Sequence, residues 1–574
     1  MSRLNLRIDT LAMQTIWCVL LLAVSASGAN LTVKSGGGGN YTTIQACATA
    51  MSAGDTCTVY AGTYNENVTV SAGTAGNYKT ITVNGSDVVT VQSFTLNSHT
   101  KLIGNCSTVP SAINSCGFNI QNTSAPTTAA CISVPSSSTD VYIRNNVLYA
   151  CGRGPGAGMI QGSANTFIYI QGNTLSYSGV TVAQAGTIKE GNGIQIGGGS
   201  DHILEENNDL SHYTLGFCCG DQSNFIIRNN VVHDQYETEA GGNAHTDGFY
   251  FSPNVTTNHN VIEGNYQHTG VGPNAKGLLT QGQYSPCNGT CTNGLIYRYN
   301  LITDLGSGNT STYGWNGLKV YNNTYYNIGN LCNSCYGGSD NFFTDSGHAT
   351  NNWADINNIF YFPSAQTSAG VANPTGSDSG SAATGTWGHN LAYCDASGAS
   401  NCSLFGHIYE QGSWTGDTGT ILGYQDHSPV NNPNFVNIPG KDFHLQAGSP
   451  AIAAGTFLTT ANGSGSSSTS LVVNDANYFQ DGYGLSNAYS TVSGDCIAVT
   501  TVTNHVCVSA VNYSTNTLTL ASPISWSNGD PIWLYSKSDG VQVLTGSAPD
   551  MGAYPYGGGT NPPAPPTGLS AVVN

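Results

Sequence analysis

Short apolar runs separated by polar turns recur along residues 140–360. The phrase reads Tyr-Ile-Arg-Asn-Asn-Val at 142–147, Tyr-Ile-Gln-Gly-Asn-Thr at 169–174 and Ile-Ile-Arg-Asn-Asn-Val at 226–231. Looser copies occupy 203–209, 261–266, 296–301, 319–324 and 354–359. Aligned, they place an asparagine at Asn146, Asn173, Asn207, Asn230, Asn265, Asn300, Asn323 and Asn358, spaced by 27, 34, 23, 35, 35, 23 and 35 residues. Runs this short do not make helices, and their Val, Ile, Tyr and Phe content favours strands. A repeat of this size, each copy holding β-branched runs and a polar turn, marks a solenoid. The pattern predicts an all-β fold, a right-handed parallel β-helix with one coil per repeat. Its asparagines stack at one turn and satisfy backbone amides that the sheets cannot reach.

Composition agrees. Charged residues make up only 8% of the 574 and glycines number 72, which suits strands and tight turns. With 14 Lys and Arg against 32 Asp and Glu there is no basic stripe for a nucleic-acid backbone. At the start, Arg3 and Arg7 precede an apolar run at 16–24 that ends in small residues, with Ala26 or Ala29 before a cleavage site. Residues 1–29 therefore read as a secretory signal peptide, too short to anchor. No later segment is apolar enough to span, so the expectation is an exported monomer without membrane contact.

Removing Cys18 leaves 16 cysteines, in close pairs: Cys47/Cys57, Cys106/Cys116, Cys131/Cys151, Cys218/Cys219, Cys287/Cys291, Cys332/Cys335, Cys394/Cys402 and Cys496/Cys507. Local disulfides suit a solenoid in an oxidising compartment, although sequence leaves the connectivity open. Cys287 with Cys291, and Cys332 with Cys335, have zinc-like spacing. They fall in different coils with no matching histidine pair, which favours loop staples. Adjacent Cys218 and Cys219 form either a strained vicinal ring or one buried and one outward thiol.

Residues 41–70 contain Tyr-Thr-Thr-Ile-Gln-Ala-Cys, then Ala-Gly-Asp-Thr-Cys-Thr-Val-Tyr-Ala-Gly-Thr-Tyr-Asn-Glu-Asn-Val. This stretch resembles the entry segment of secreted right-handed β-helix proteins of the pectate-lyase-like superfamily. The resemblance implies a short helix plugging the first coil, at about 41–53. Ile44, Cys47, Ala48 and Met51 supply the apolar face such a plug needs. Residues 432–455 look like the last-coil signature of the same superfamily. The closing phrase, Asp550-Met-Gly-Ala-Tyr, is delayed by dense β patterning. The expected organisation is a β-helix over 30–456, a small inserted β-module at 457–536 that is either a carbohydrate-binding accessory or a cap extension, a closing segment at 537–558, and a proline-rich tail at 559–574.

In a parallel coil, equivalent positions of neighbouring turns lie about 4.8 Å apart, so residues distant in sequence form columns. The second strands align as Gly193-Ile-Gln-Ile, Gly216-Phe-Cys-Cys, Gly248-Phe-Tyr-Phe, Gly277-Leu-Leu-Thr and, less well, Asn341-Phe-Phe-Thr. Ahead of these glycines stands the one charged cluster of the stack: Lys189, Glu190, Asn192, His212, Tyr213, His245, Asp247 and Lys276, with Asp340 further on. The cluster is the candidate site, in a groove for an extracellular polysaccharide. Lys276 and His245 are the preferred bases, with Lys189 beside them. His212, Tyr213, Gln195, Tyr250 and Asn192 are candidate substrate contacts, and Asp247, Glu190 and Asn192 a candidate calcium set. Tyr236, Tyr284 and Trp315 are further aromatics able to stack on sugars.

Two chemistries fit. A uronic-acid polymer loses the proton beside its carboxylate to a base, with positive charge stabilising the enolate-like state, giving an unsaturated sugar or an epimer. Alternatively Glu190 and Asp247 hydrolyse a glycosidic bond with inversion, which wants carboxylates about 6.5–9.5 Å apart. The resemblance covers both classes. The polygalacturonase motifs are absent except for an echo in His245-Thr-Asp-Gly, and so is the dense aspartate cluster of calcium-dependent pectate lyases. Arg144, Arg228 and Arg298 fall in the repeat phrase on another face and read as structural. The formal net charge of −18 argues against a polyanion unless metal offsets it. A third expectation is therefore a non-catalytic, adhesive glycan-binding β-helix.

Overall fold

Alternation of apolar and polar residues in each short strand turns one set of side chains inward, coil upon coil. The computed structural model describes residues 28–122, 129–153, 157–179, 191–218, 220–236, 246–251, 257–272, 275–281, 292–306, 310–313, 316–328, 340–343, 351–363, 370–375, 384–394, 407–410, 413–415, 421–422 and 432–557. The strands form a parallel β-helix. Among the described residues one sheet has 13 strands; a second, of 24, divides beyond strand Val88–Leu96 into two files. Ile143, Ile170, Ile227 and Ile262 stack inside the bore with almost no exposure. The entry is plugged as expected: helix Ile44–Ala50 buries Ile44, Cys47 and Ala48. Thr43 caps it by accepting from the Ala46 amide, and Glu66 accepts from the Ile44 and Gln45 amides.

The asparagine ladder is present, with one correction. The ladder starts at Asn146, and in Asn173, Asn208, Asn230, Asn265, Asn300, Asn323, Asn358 and Asn390 the Oδ1 accepts the backbone N–H of the ladder asparagine one coil earlier, at 2.7–3.1 Å. The member in the third of these coils is Asn208, not Asn207. Asn207 takes the preceding left-handed position at φ 55°, like Asn145, Asn229 and Asn322. Asparagine suits both places, the first by its two-sided amide and the second by tolerating positive φ. Asn265→Ala removes the acceptor of the Asn230 amide and the donor to the Ile227 carbonyl. Each buried group so orphaned costs about 1–3 kcal/mol. We expect a loss on the order of 3 kcal/mol in denaturant unfolding; an unchanged midpoint would remove the ladder from the stabilising interactions.

One bore position breaks the apolar pattern. Glu205 sits in register between Ile170 and Ile227, and burial raises its pKa to about 8. A carboxyl whose folded pKa is raised binds protons in the folded state between its unfolded value and about 8. Stability is therefore greatest below the unfolded pKa and falls as pH rises through that window. Glu205→Met removes this slope and raises stability at pH 7 by roughly 3 kcal/mol. Melting temperatures from pH 4 to 8 for both proteins check it, and parallel curves would overturn it.

The outer face of the 13-stranded sheet is covered by a 6-stranded antiparallel module spanning Thr459–Thr460 to Pro531–Ser536. Tyr142, Tyr169, Leu204, Ile226, Val261 and Ile296 pack against Leu485, Val492 and neighbouring apolar residues of the module. Beside this stripe runs a column of charge: Arg144, Gln171, Glu206, Arg228, Glu263, Arg298 and Tyr321 are successive register partners. Arg228 bonds Glu206 at 2.7 Å and reaches Ser538 and Ser490. Arg298 lies between Glu263 at 2.7 Å and Asp495 at 2.6 Å. The structural role expected for these two arginines is thus to seat the module.

After the module the chain returns. Asp550 accepts the Ala453 and Tyr556 amides, and the Met551 and Gly552 amides bond Ala451 and Asn357. Gly552 has φ 85°, and a Cβ there would stand 2.7 Å from Ile359. The hairpin Phe435–Asn437 with Asp442–Leu445 covers part of a second file through Phe435, Phe443 and Leu445.

Disulfides join Cys47–Cys57, Cys106–Cys116, Cys131–Cys151 and Cys496–Cys507. Cys218 is also disulfide-bonded. Cys219, Cys287, Cys291, Cys332, Cys335 and Cys402 lie outside the described residues, as do most of the expected signal peptide and the proline-rich tail. Among the described residues no helix is long and apolar enough to cross a membrane.

Candidate functional site

Five consecutive strands, Gly158–Ser163, Asn192–Gly197, Leu215–Cys218, Thr246–Phe251 and Ala275–Gln281, build the candidate face. Gly193, Gly216, Gly248 and Gly277 fall into one column, as the sequence alignment predicts. A Cβ at Gly193 or Gly216 would stand 2.6 or 2.5 Å from the carbonyl oxygen of the next glycine in the column. Glycine lets the backbone bend inward there, and the flanking polar residues are carried on the other side. Asn192 shows this directly: its Nδ2 donates to Gln195 Oε1 at 3.2 Å, across the glycine.

Two columns result. Gln161, Gln195, Cys218, Tyr250 and Leu279 are register partners, and Gln161, Gln195 and Tyr250 are half-buried. Ahead of the glycines, Asp247 is the register partner of Leu215 on one side and of Lys276 on the other. Asp247 is fully buried and Lys276 half-buried. Burial lowers the pKa of the Lys276 ammonium, while the Asp247 carboxylate pulls the other way. Beneath them, the side-chain amides of Gln235 and Gln267 donate to the Lys276 carbonyl at 3.2 and 2.9 Å. This belt of amides fixes the backbone that carries the lysine.

Other expected members separate from this pair. Tyr213 is a correction: it is 1% exposed within the bore, with its hydroxyl donating to Gln235 Oε1 at 2.8 Å, so it supports the site from inside. His212 occupies a left-handed corner at φ 56°, on the neighbouring file, where its charge partner is Asp234. Asp234 in turn bonds His233 at 2.8 Å. Burial disfavours charge on His233, but Asp209 and Asp234 outweigh it and raise the pKa to about 9. The expected alignment of Asn341 with Gly277 is also corrected. Strand Thr310–Tyr313 intervenes, and Asp340 pairs with Thr310, in the column of Leu278. Lys189, Glu190, His245, Tyr284 and Trp315 lie outside the described residues, as does the side chain of Tyr236.

For the expected calcium, Asn192 and Asp247 stand two coils apart with Leu215 between, and the next register partner of Asp247 is Lys276. The third expected ligand, Glu190, falls outside the described residues. Among those described, no three His, Cys, Asp or Glu side chains converge on a metal position. The donors among the described residues do not by themselves form an oxygen cradle for calcium. Gln161 was not among the expected residues. Its strand Gly158–Ser163 places Met159, and not a glycine, in the glycine column, so the repeat pattern gives no signal there.

No protein-family model matches the sequence, and no curated protein matches it. Solved structures do. An alginate lyase from Paenibacillus sp. strain FPU-7 aligns at 14% identity and TM-score 0.33, covering 69% of this chain and 99% of that one. The pectate lyase Pel9A aligns at 15% identity and TM-score 0.35, over 74% and 88%. A lacto-N-biosidase from Eubacterium ramulus aligns at 11% and 0.34, over 69% and 66%.

Proposed function

We propose that the protein acts on an extracellular polysaccharide of uronic acids, as a lyase or epimerase, with Lys276 as the base. The carrying observation is the pairing of a half-buried lysine with a buried carboxylate at the edge of a polar column. Burial lets the Lys276 amine be neutral at lower pH than a free lysine. The neutral amine takes the proton from the carbon beside the sugar carboxylate, and Asp247 stabilises the ammonium that forms. Breaking the carbon–oxygen bond at the adjacent carbon, with the leaving oxygen taking a proton from water, then gives an unsaturated sugar, and delivery of a solvent proton to the other face of the carbanion gives an epimer. Gln161 and Gln195 lie one coil apart along the axis and Tyr250 two coils further on, so the column suits the units of a linear chain laid along it.

The test is a panel of pectins, alginates, glycosaminoglycans and neutral glycans, with calcium or chelator. Absorbance in the unsaturated-uronate band supports elimination, and its loss on chelation would bring calcium into the site. Solvent deuterium appearing in an intact polymer supports epimerisation. Reducing ends without new absorbance would replace this reading by hydrolysis through Glu190 and Asp247. Retention on a glycan column without turnover would leave a binding protein.

A further inference from the structure

Three arginines stand in equivalent turns of the repeat, and one differs from the others. Arg228 and Arg298 are buried and hold carboxylates of the coil before them. Arg144, at the head of the same column, has Ile103 before it and Gln171 after it in register. It is half-buried, its Nε is shielded from solvent without a hydrogen-bond partner, and among the described residues it bonds no carboxylate. Its guanidinium carbon lies 3.9 Å over the ring of Tyr489, a module residue that is 40% exposed. Stacking fixes the guanidinium plane and leaves its edge, where the N–H donors are, unoccupied.

That edge borders a cleft of about 340 Å³ where the module, the asparagine turns and the Cys106–Cys116 loop meet. Asn145, Gln171, Asn207 and Asn229 line it with carboxamides. Glu206 also lines the cleft, but both its oxygens are engaged, one by Gln171 at 2.7 Å and the other by Arg228 at 2.7 Å. Lys101 lies alongside, its ammonium 4.0 Å over Tyr78, 4.8 Å over Tyr142 and 5.4 Å over Tyr489, with Asp140 as the nearby carboxylate. Within the cleft itself the guanidinium is the charge left over. Glu206 acts on the Arg144 guanidinium from two coils away without bonding it. In a chain of net charge −18, a planar cation that bonds no carboxylate among the described residues calls for an anion from outside.

We infer that this cleft is a second glycan-binding site, which holds one carboxylated sugar unit at the junction of the β-helix and the module. The guanidinium fork takes the carboxylate in bidentate fashion, the carboxamides take hydroxyls, and the exposed part of the Tyr489 ring takes an apolar sugar face. The volume lies at the small end of ligand sites, which matches one or two sugar units. The cleft is built on the 13-stranded sheet, away from the file that carries Lys276. It gives the module a role in gripping the polymer, and it stands on its own observations even if the groove has another chemistry.

The experiment is calorimetry on the full chain carrying Lys276→Met, so that the ligand is not consumed. Ligands are short galacturonate, mannuronate and glucuronate oligomers, their methyl esters, neutral oligosaccharides, and acetate. Binding of at least one uronate oligomer, weakened about 10- to 100-fold in Arg144→Gln and in its methyl ester, supports the site. Tyr489→Ala, on the module surface, carries the same test if Arg144→Gln lowers the melting temperature. Uronate binding unchanged in both variants, equal binding of the methyl esters, no uronate binding at all, or acetate binding as tightly as the sugars would each overturn it. Loss of turnover on the substrate panel leaves this result untouched, so the two readings fail separately.

Discussion

Replacing Arg298 by methionine lowers the stability of the protein by about 3–5 kcal/mol, the usual cost of removing one partner from a buried ion pair. Arg298 is 0% exposed, as are Glu263 and Asp495 on either side of it. Its guanidinium also donates to the Tyr321 hydroxyl at 2.8 Å. Without it two carboxylates face one another in a dry interface, and protonation is their relief. Burial already raises the pKa of Asp495, with Arg298 opposing the rise. A carboxyl with a raised folded pKa stabilises most at low pH and loses that contribution as pH rises. The deficit of Arg298→Met is therefore smaller at pH 5 than at pH 8. Denaturant unfolding at the two pH values checks this. Because Asp495 belongs to the module and Glu263 to the coil, protease accessibility of the module should rise in the variant. A variant with wild-type stability at both pH values would show that the apolar stripe from Tyr142 to Ile296 seats the module alone. Glu263→Met with Arg298→Met and Asp495→Leu should recover much of the loss, since apolar replacement of a whole buried triad is often neutral.

These ion pairs mark where sequence reading stops. The coil repeat was legible because β-branched runs and asparagines return in frame, and a stack of parallel strands is the fold that gives them a common environment. The cap was legible from the spacing of Ile44, Cys47, Ala48 and Met51. The slip at Asn207 has a physical origin: a left-handed turn and an amide ladder both favour asparagine, and adjacent positions compete for the assignment. Arg228 and Arg298 could be read as structural from their phrase. Their partners Ser538 and Asp495 could not, being 310 and 197 residues away. Arg144 shares their phrase, and only the register reveals Ile103 where they have a glutamate. Within the candidate site, the glycine column was visible and Asp247 and Lys276 are register partners. Tyr213 and His212 were misplaced because a corner between files turns one residue inward and the next outward, and a left-handed residue there changes the parity that strand alternation predicts.

Lys276→Met should abolish turnover of the polysaccharide substrate, by about 10²- to 10⁴-fold in kcat, the range for loss of a general base. Methionine keeps the unbranched stem, and the amides of Gln235 and Gln267 bond the backbone carbonyl and not the ammonium. The fold should therefore survive, with melting temperature as the control. Asp247→Asn is the finer probe. In the wild type the carboxylate favours the charged lysine against the burial that disfavours it. Without that carboxylate the lysine pKa falls further. The acidic limb of the rate profile, set by the fraction of neutral amine, moves to lower pH, and the maximal rate drops because the ammonium formed on proton transfer is less stabilised. A purely structural Asp247 would lower activity through folding and leave the acidic limb in place. Full turnover by Lys276→Met would sink the assignment and hand the base to His245 or Lys189, each tested by its own alanine variant.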